Sequence, residues 1–206
     1  MIASRPVTLL DVIAARSDAA PSFATRAVAV LFFAVLTAAA AQISVPLPFT
    51  QVPLTFQPTV VLLSGLVLGP RLGAASQVLY LAAGIAGLPV FAASPVLAPG
   101  AWRLLGPTGG YLLSYPLAAF VVGTLARRGF DRRYLTSIVA MTLGLVVVYT
   151  CGTVWLAYAS VGGSAVGLAG AFATGVVPFV VADLVKLAAA AGIVPGLWRL
   201  VPPLSR

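Results

Sequence analysis

Six long apolar runs, each bounded by arginines or by clusters of proline and glycine, constrain this chain more than any other feature. An apolar helix needs about 20 residues to cross the hydrocarbon core of a bilayer. Hydrophobic residues make up 61% of the sequence and charged residues 8%, which excludes a water-soluble domain of this size. The pattern predicts an all-α integral membrane protein with six transmembrane helices, at residues 27–45, 53–68, 72–88, 107–126, 135–160 and 171–200.

The predicted spans form one transmembrane domain, residues 27–200, because no change of composition divides them. Residues 1–26 are too polar to insert, and we expect a cytoplasmic segment that could lie at the membrane interface. Residues 201–206 are a short cytoplasmic tail. An alternative is that Arg26, the apolar stretch after it and the alanines at 38–41 form a cleavable signal peptide. Removal of that peptide leaves an odd number of spans, which disfavours this alternative.

The arginines divide unequally between the two sides of the predicted bundle. With six spans both termini share one side, and Lys and Arg are retained on the cytoplasmic side. Ten arginines fall on the side of the termini, whereas the opposite loops hold only Arg103. We therefore expect a multi-pass protein of the bacterial plasma (inner) membrane with both termini cytoplasmic. The arginines are scattered and not interleaved with aromatic residues, so nucleic acid is excluded as a partner.

Asp183 and Lys186 form the strongest local signal of a functional site. Asp183 is the only carboxylate within a predicted span, and Lys186 is the only lysine of the chain. Residues at i and i+3 are neighbours on one helical face. Each charge costs about 2.5–3.5 kcal/mol at mid-membrane, so a role is expected. Asp183 lies 16 residues before Arg199, roughly 24 Å along an ideal helix and hence in the outer half of the bilayer. The pair is predicted to bind a polar solute from outside; the other interpretation is an internal ion pair that fastens the helix.

Little else in the sequence supports catalysis or metal binding. The chain has no His, Glu or Asn, and its one cysteine, Cys151, lies in an apolar run. With Asp183 as its only membrane carboxylate, an intramembrane enzyme lacks a second catalytic group. The glycine-rich segment 106–111 is not followed by Gly-Lys-Ser/Thr, so it is not a phosphate loop. We expect no enzyme activity, no cofactor and no metal, and Gln57 is the uncharged polar residue expected first at a solute site.

Several segments, taken in order, resemble the BioY family. They are 41–48 (AQISVPLP), 52–57 (VPLTFQ), 68–73 (LGPRLG), 80–91 and 106–111, followed by Asp183 and Lys186 at the family's Asp-x-x-Lys pair. That family supplies the biotin-binding S component, or substrate-binding subunit, of energy-coupling factor (ECF) transporters. The resemblance implies a compact six-helix S-component bundle that captures biotin near the outer face and delivers it inward.

The resemblance also implies roles for particular residues. Asp183 suits the ureido N–H donors of biotin, and Lys186 suits its ureido carbonyl or its valerate carboxylate. The candidates to cover the apolar rings are aromatic loop residues and one helical tyrosine: Phe49, Phe91, Trp102 and Tyr111. An Asn after the third span helps to bind biotin in some members. This chain has Ala92-Ala93-Ser94 there, and Ser94 or Arg103 is expected to substitute.

Partners are implied in the same way. Ala34 and Ala38 match the small-residue surface by which the family's first helix meets the transmembrane coupling subunit. That subunit carries two cytoplasmic ATPases, which fits a chain without a phosphate loop, and membrane lipid covers the rest. Two alternatives stay open: an S component for another small vitamin-like solute, and a non-transport membrane assembly protein that uses small-residue faces for helix packing.

Overall fold

The structure, a computed structural model, describes residues 8–14, 22–93, 100–159 and 166–200. Its helices are α1 (Leu9–Ala14), α2 (Phe23–Gln42), α3 (Gln57–Ile85), α4 (Trp102–Leu105), α5 (Gly109–Leu125), α6 (Tyr134–Tyr158), α7 (Gly167–Gly175), α8 (Val177–Ala190) and α9 (Ile193–Leu200). A π-helical turn at Ala126–Phe130 extends α5. Between α2 and α3, β1 (Ser44–Val45) pairs with β2 (Leu54–Thr55) as an antiparallel hairpin.

Five segments of the described chain are long and apolar enough to cross a membrane: Phe23–Gln42, Gln57–Ile85, Gly109–Phe130, Tyr134–Tyr158 and Val177–Leu200. The prediction of a helical, multi-pass membrane protein is therefore confirmed, although these segments number five and not six. Their outer faces carry large apolar side chains, among them Leu135, which is 73% exposed, and Val181, which is 70% exposed. Such exposure suits contact with lipid rather than with water.

The predicted second and third spans are the two arms of α3. The backbone is non-helical at Gly69, with φ 76° and ψ −176°, a conformation that glycine adopts without the strain of a side chain. The arms contact each other on either side of this point. Gln77 Nε2 donates to Ser64 Oγ at 3.1 Å, and Gln57 Nε2 donates to the Tyr80 hydroxyl at 2.5 Å. Pairing of early with late residues means that the chain reverses at Gly69 and that the arms run antiparallel.

The predicted last span, 171–200, is not one helix. It comprises α8, α9 and the end of α7, and the prediction of a single continuous helix is wrong. The backbone leaves helical geometry at Val176, with φ −124° and ψ −57°, directly before Pro178 in the first turn of α8. Proline is favoured in a first turn because its missing N–H has no helical partner there. Asp183 and Lys186 lie in the middle of α8.

The face of α2 that carries Ala34 and Ala38 is turned into the bundle. Ala34 is 6% exposed, and the partly buried Ala38 packs against the same core. Thr37, on this face, donates to Gln77 Oε1 of α3 at 3.4 Å. These small side chains let α2 approach α3 closely, which is their usual role between membrane helices. Ala34 is thus buried against the core of this chain, and the contact of Ala34 and Ala38 with a coupling subunit stays a prediction.

Part of the N-terminal segment also packs on the bundle. Leu9 is fully buried and Val12 is 5% exposed, and α1 contacts α3. The Asp11 carboxylate accepts hydrogen bonds from the backbone N–H and the hydroxyl of Thr8, at 3.0 and 2.8 Å. Residues 1–7, 15–21 and 201–206 lie outside the described parts, so the predictions for the rest of that segment and for the tail are not tested.

Candidate ligand-binding site

A cavity of about 720 Å³, including its open side, lies among the hairpin, α3, α4, α5, α6 and α8. Its walls are mainly apolar and aromatic, with a few polar groups at separate places, as in most small-molecule sites. The lining residues from the loops and α3 are Gln51–Thr55, Gln57, Pro58 and Phe91–Ala93; those from the remaining elements are Arg103, Thr108, Tyr111, Leu112, Tyr115, Val148, Tyr149, Gly175, Phe179 and Asp183.

Asp183 supplies a carboxylate to the cavity wall. It is 6% exposed, and each of its oxygens has a partner. Oδ1 forms an ion pair with Lys186, three residues further along α8, and Oδ2 accepts a hydrogen bond of 2.6 Å from the Tyr149 hydroxyl of α6. A buried carboxylate is tolerated only with partners of this kind. The internal ion pair, which was the other interpretation of these two residues, is therefore present, and Asp183 also lines the cavity.

Lys186 lies beside the cavity and not among its lining residues. Its ammonium group donates a hydrogen bond of 2.5 Å to the backbone carbonyl oxygen of Thr55 and lies 5.2 Å from the centre of the Phe56 ring. Both contacts belong to the end of the hairpin, and the third is the Asp183 carboxylate. In this arrangement Lys186 joins α8 to the hairpin, and its contact with a ligand stays a prediction.

Arg103 is the only lysine or arginine among the described residues that line the cavity. It is 9% exposed, and its Nη1 donates to the backbone carbonyl oxygen of Ala92 at 3.0 Å. Burial lowers the pKa of the Arg103 guanidinium from its ordinary value. A guanidinium stays protonated in proteins, so a buried one stabilises an anion that enters beside it. Arg103 thus gives the cavity a second charged group, on a different wall from Asp183.

Gln57, Tyr80 and Phe91 hold one end of the cavity together. The Tyr80 hydroxyl accepts from Gln57 and donates to the backbone carbonyl oxygen of Val90 at 3.3 Å. The Phe91 ring meets the Tyr80 ring edge to face, with centroids 5.4 Å apart. Phe91 lies directly over Gly84, where any side chain would overlap its ring. The loop after α3 is thereby fixed against the arm from which it leaves.

Tyr111 forms another wall. Its hydroxyl donates to the backbone carbonyl oxygen of Gly175 at 2.9 Å, which joins α5 to the end of α7. The ring packs against Gly152 of α6, where a methyl group would collide with it. Tyr111 and Tyr115, four residues apart on α5, both line the cavity.

The predicted site residues divide into three groups. Asp183, Gln57, Phe91, Arg103 and Tyr111 line the cavity together. Phe49 and Trp102 are not among the lining residues, and their side chains are 61% and 60% exposed. Lys186 forms an ion pair with Asp183 and is not among the lining residues. Ser94 lies outside the described residues.

Sequence reasoning missed two important wall residues, Tyr149 and Phe179. Phe179 precedes Asp183 by four residues on α8, so the i, i+4 rule for helix faces was a signal that could have found it. Tyr149 gave a weaker signal, a single phenol within a long apolar run of α6. Its pairing with Asp183 joins residues 34 positions apart, and helical periodicity carries no information across two helices.

Comparison with known proteins points to one family. The model of the BioY family matches residues 13–203. A relative from Pyrococcus horikoshii, named a probable biotin transporter BioY, is 45% identical over 161 residues, covering 78% of this chain and 88% of the relative. The biotin transporter BioY of Thermotoga maritima is 40% identical over 169 residues, covering 82% and 92%.

A similar solved structure is a crystal structure at 2.1 Å of the S-component for biotin from an ECF-type ABC transporter. It superposes with a TM-score of 0.75 at 24% sequence identity and covers 85% of this chain and 92% of the other. At this identity the likeness shows a shared fold.

Proposed function

The chain belongs to the BioY family, and from this premise we propose that it is the biotin-binding subunit of an ECF transporter, which captures biotin outside the cell and delivers it inward. The observation that carries the proposal is the cavity that joins a carboxylate, Asp183, and a guanidinium, Arg103, through apolar and aromatic walls. Biotin has the complementary chemistry: N–H donors on its ureido ring, an apolar thioether ring and a carboxylate at the end of its chain. The chain is a transporter subunit and not an enzyme.

Each end of biotin has a proposed partner in the cavity. Asp183 accepts a hydrogen bond from a ureido N–H, since a buried carboxylate is an acceptor only. Arg103 pairs with the valerate carboxylate, because a guanidinium suits a planar carboxylate and lines the cavity, whereas Lys186 does not. The rings of Phe91, Tyr111 and Phe179 cover the apolar part of the ligand.

The arrangement in the membrane follows from α3. Because its arms run antiparallel on either side of Gly69, we infer that each crosses the bilayer, which gives six crossings within one domain at 27–200. Both termini are then cytoplasmic, on the side rich in arginine. The arms are short, at 12 and 16 residues from Gln57 to Leu68 and from Pro70 to Ile85, and the hairpin and loops complete the outer side. The cavity consequently opens to the outside.

We propose that partner subunits couple the uptake of biotin to ATP hydrolysis. The sequence has no phosphate loop, so energy for uptake comes from an ECF transmembrane subunit with two cytoplasmic ATPases. The exposed side of α2, which includes Leu31, Phe32 and Val35 at 55–59% exposure, is proposed to extend the contact surface predicted at Ala34 and Ala38. Lipid covers the same face when the partners are absent.

Calorimetric titration of the purified chain with biotin tests the proposal. Saturable binding at micromolar concentration or below is expected for biotin, and thiamine and riboflavin serve as vitamin-like competitors of other chemistry. Absence of heat with biotin, or stronger binding of a competitor, would reject biotin as the solute. Uptake of labelled biotin by an auxotrophic host without its own transporter, with and without coupling subunits, then tests transport.

A further inference from the structure

The Tyr149 hydroxyl and the Asp183 carboxylate meet at the cavity wall from different helices. The hydroxyl of Tyr149, on α6, donates to Asp183 Oδ2 at 2.6 Å, while Lys186 occupies Oδ1. Hydrogen bonds to a charged acceptor at this length are the stronger kind. The carboxylate is therefore held at both oxygens, by one donor from its own helix and one from α6.

The two bonds leave Asp183 able to accept more. A carboxylate offers about four lone-pair positions, and Tyr149 and Lys186 take one on each oxygen. A carboxylate held by Lys186 alone would rotate about its last side-chain bond, because such terminal torsions are broad. With Tyr149 in place, rotation breaks a second bond. The remaining lone pairs keep a fixed direction relative to the cavity.

We propose that Tyr149 is a positioning residue, which orients the Asp183 carboxylate toward N–H donors of the ligand, such as those of a ureido ring. This inference rests on the proposed function for the identity of the ligand. A simpler role is wall packing, since the Tyr149 ring also lines the cavity. The Tyr149→Phe substitution distinguishes the two roles, because phenylalanine keeps the ring and removes only the hydroxyl.

A double-mutant cycle tests the inference, with biotin dissociation constants for wild type, Tyr149→Phe, Asp183→Asn and the double variant. The Tyr149→Phe change is expected to weaken biotin binding about tenfold, because a carboxylate that is free to rotate loses its hydrogen bond to the ligand N–H, and a bond to a charged group contributes about 1.5–3 kcal/mol. In the Asp183→Asn background the same change is expected to have less than a twofold effect, because the carboxylate that Tyr149 positions is gone. A full loss in both backgrounds overturns the inference, since the hydroxyl then acts on the ligand or on packing directly.

The matched control is Tyr158→Phe, the same chemical change on the same helix at a side chain that is 68% exposed. It is expected to bind biotin as wild type does. Infrared difference spectra of Tyr149→Phe against wild type, referenced to Asp183→Asn, add a measurement without ligand. A shift of the Asp183 carboxylate stretch is expected, and an unchanged band overturns the inference. Failure of wild type to bind biotin, together with that shift, rejects the proposed solute and leaves the positioning of Asp183 supported.

Discussion

The Lys186 ammonium group donates a hydrogen bond of 2.5 Å to the backbone carbonyl oxygen of Thr55, 131 positions earlier in the chain. The bond joins the middle of α8 to the last residue of the hairpin, two residues before Gln57 of the cavity wall. The same ammonium group neutralises Asp183. One side chain thus serves both the charge balance of the cavity and the attachment of one of its walls.

Replacement of Lys186 by methionine should therefore loosen the hairpin and destabilise the fold. Methionine keeps the length of the side chain but leaves the Asp183 carboxylate buried without its cation, a change that costs about 3–5 kcal/mol. Hydrogen exchange of the peptide over residues 44–56 is expected to accelerate, and the melting temperature in detergent is expected to fall. The double variant Asp183→Asn, Lys186→Met should melt above Lys186→Met, because no unpaired charge remains.

The control for this prediction is Arg133→Met, which removes an exposed cation from a loop. Exchange over residues 44–56 should match wild type in that variant. If Lys186→Met leaves both exchange and melting unchanged, the ammonium group does not fasten the hairpin.

Arg103→Gln should weaken the binding of biotin but not that of biotin methyl ester. The guanidinium pairs with the ligand carboxylate in the proposed complex, and a bond to a charged group contributes about 1.5–3 kcal/mol, so a loss of roughly tenfold or more is expected for the acid. The ester has no charge to pair, so wild type and variant should bind it within a factor of about two. Arg128→Gln, at an exposed arginine after α5, is the control. Equal losses for acid and ester would mean that Arg103 supports the wall and not the carboxylate.

Local features that repeat along one helix were predictable from the sequence. The ion pair of Asp183 and Lys186 follows from i, i+3 spacing, and the apolar runs located most helices. Contacts between distant segments were not predictable in this way. The bond from Lys186 to Thr55 and the pairing of Tyr149 with Asp183 both join distant segments and have no local signal in the sequence.

The reversal of the chain within α3 was partly predictable from the sequence. Gly69 and Pro70 stand between the two apolar runs that were predicted to be separate spans, and the φ of 76° at Gly69 explains why glycine stands at the turn. The directions of the side chains in the short helix α4 were not predictable from the sequence. Trp102 points outward while its neighbour Arg103 lines the cavity, because a four-residue helix presents them on different sides.

Gly152→Ala should destabilise the bundle and distort the cavity. A methyl group there would overlap the Tyr111 ring, and the ring is held by its hydrogen bond to the Gly175 carbonyl. Overpacking of this kind costs about 1–3 kcal/mol, so a lower melting temperature and weaker biotin binding are expected. Gly196→Ala is the matched control, because its added methyl group would meet nothing within 4 Å. An unchanged melting temperature for Gly152→Ala would show that Tyr111 can move aside.

The opposite end of the bundle offers a prediction on pH. Asp131, in the loop before α6, is 1% exposed; its Oδ2 accepts from the Trp198 indole N–H at 2.7 Å, and its Oδ1 lies 3.4 Å from Arg132 Nε. Burial raises the pKa of the Asp131 carboxyl, while Trp198 and Arg132 oppose that rise. The folded state then binds a proton more tightly than the unfolded chain.

Because the folded pKa of Asp131 is the higher one, its contribution to stability is greatest below the ordinary pKa of about 3.9 and is lost as pH rises through the folded pKa. Melting temperatures measured from acidic to neutral pH should show this fall in wild type and lack it in Asp131→Asn. Trp198→Phe removes a donor that lowers the pKa, so the fall should extend to higher pH. Trp102→Phe, a change at an exposed tryptophan, should follow the wild-type curve. Coincident curves for wild type and Trp198→Phe would mean that the indole does not control the ionisation of Asp131.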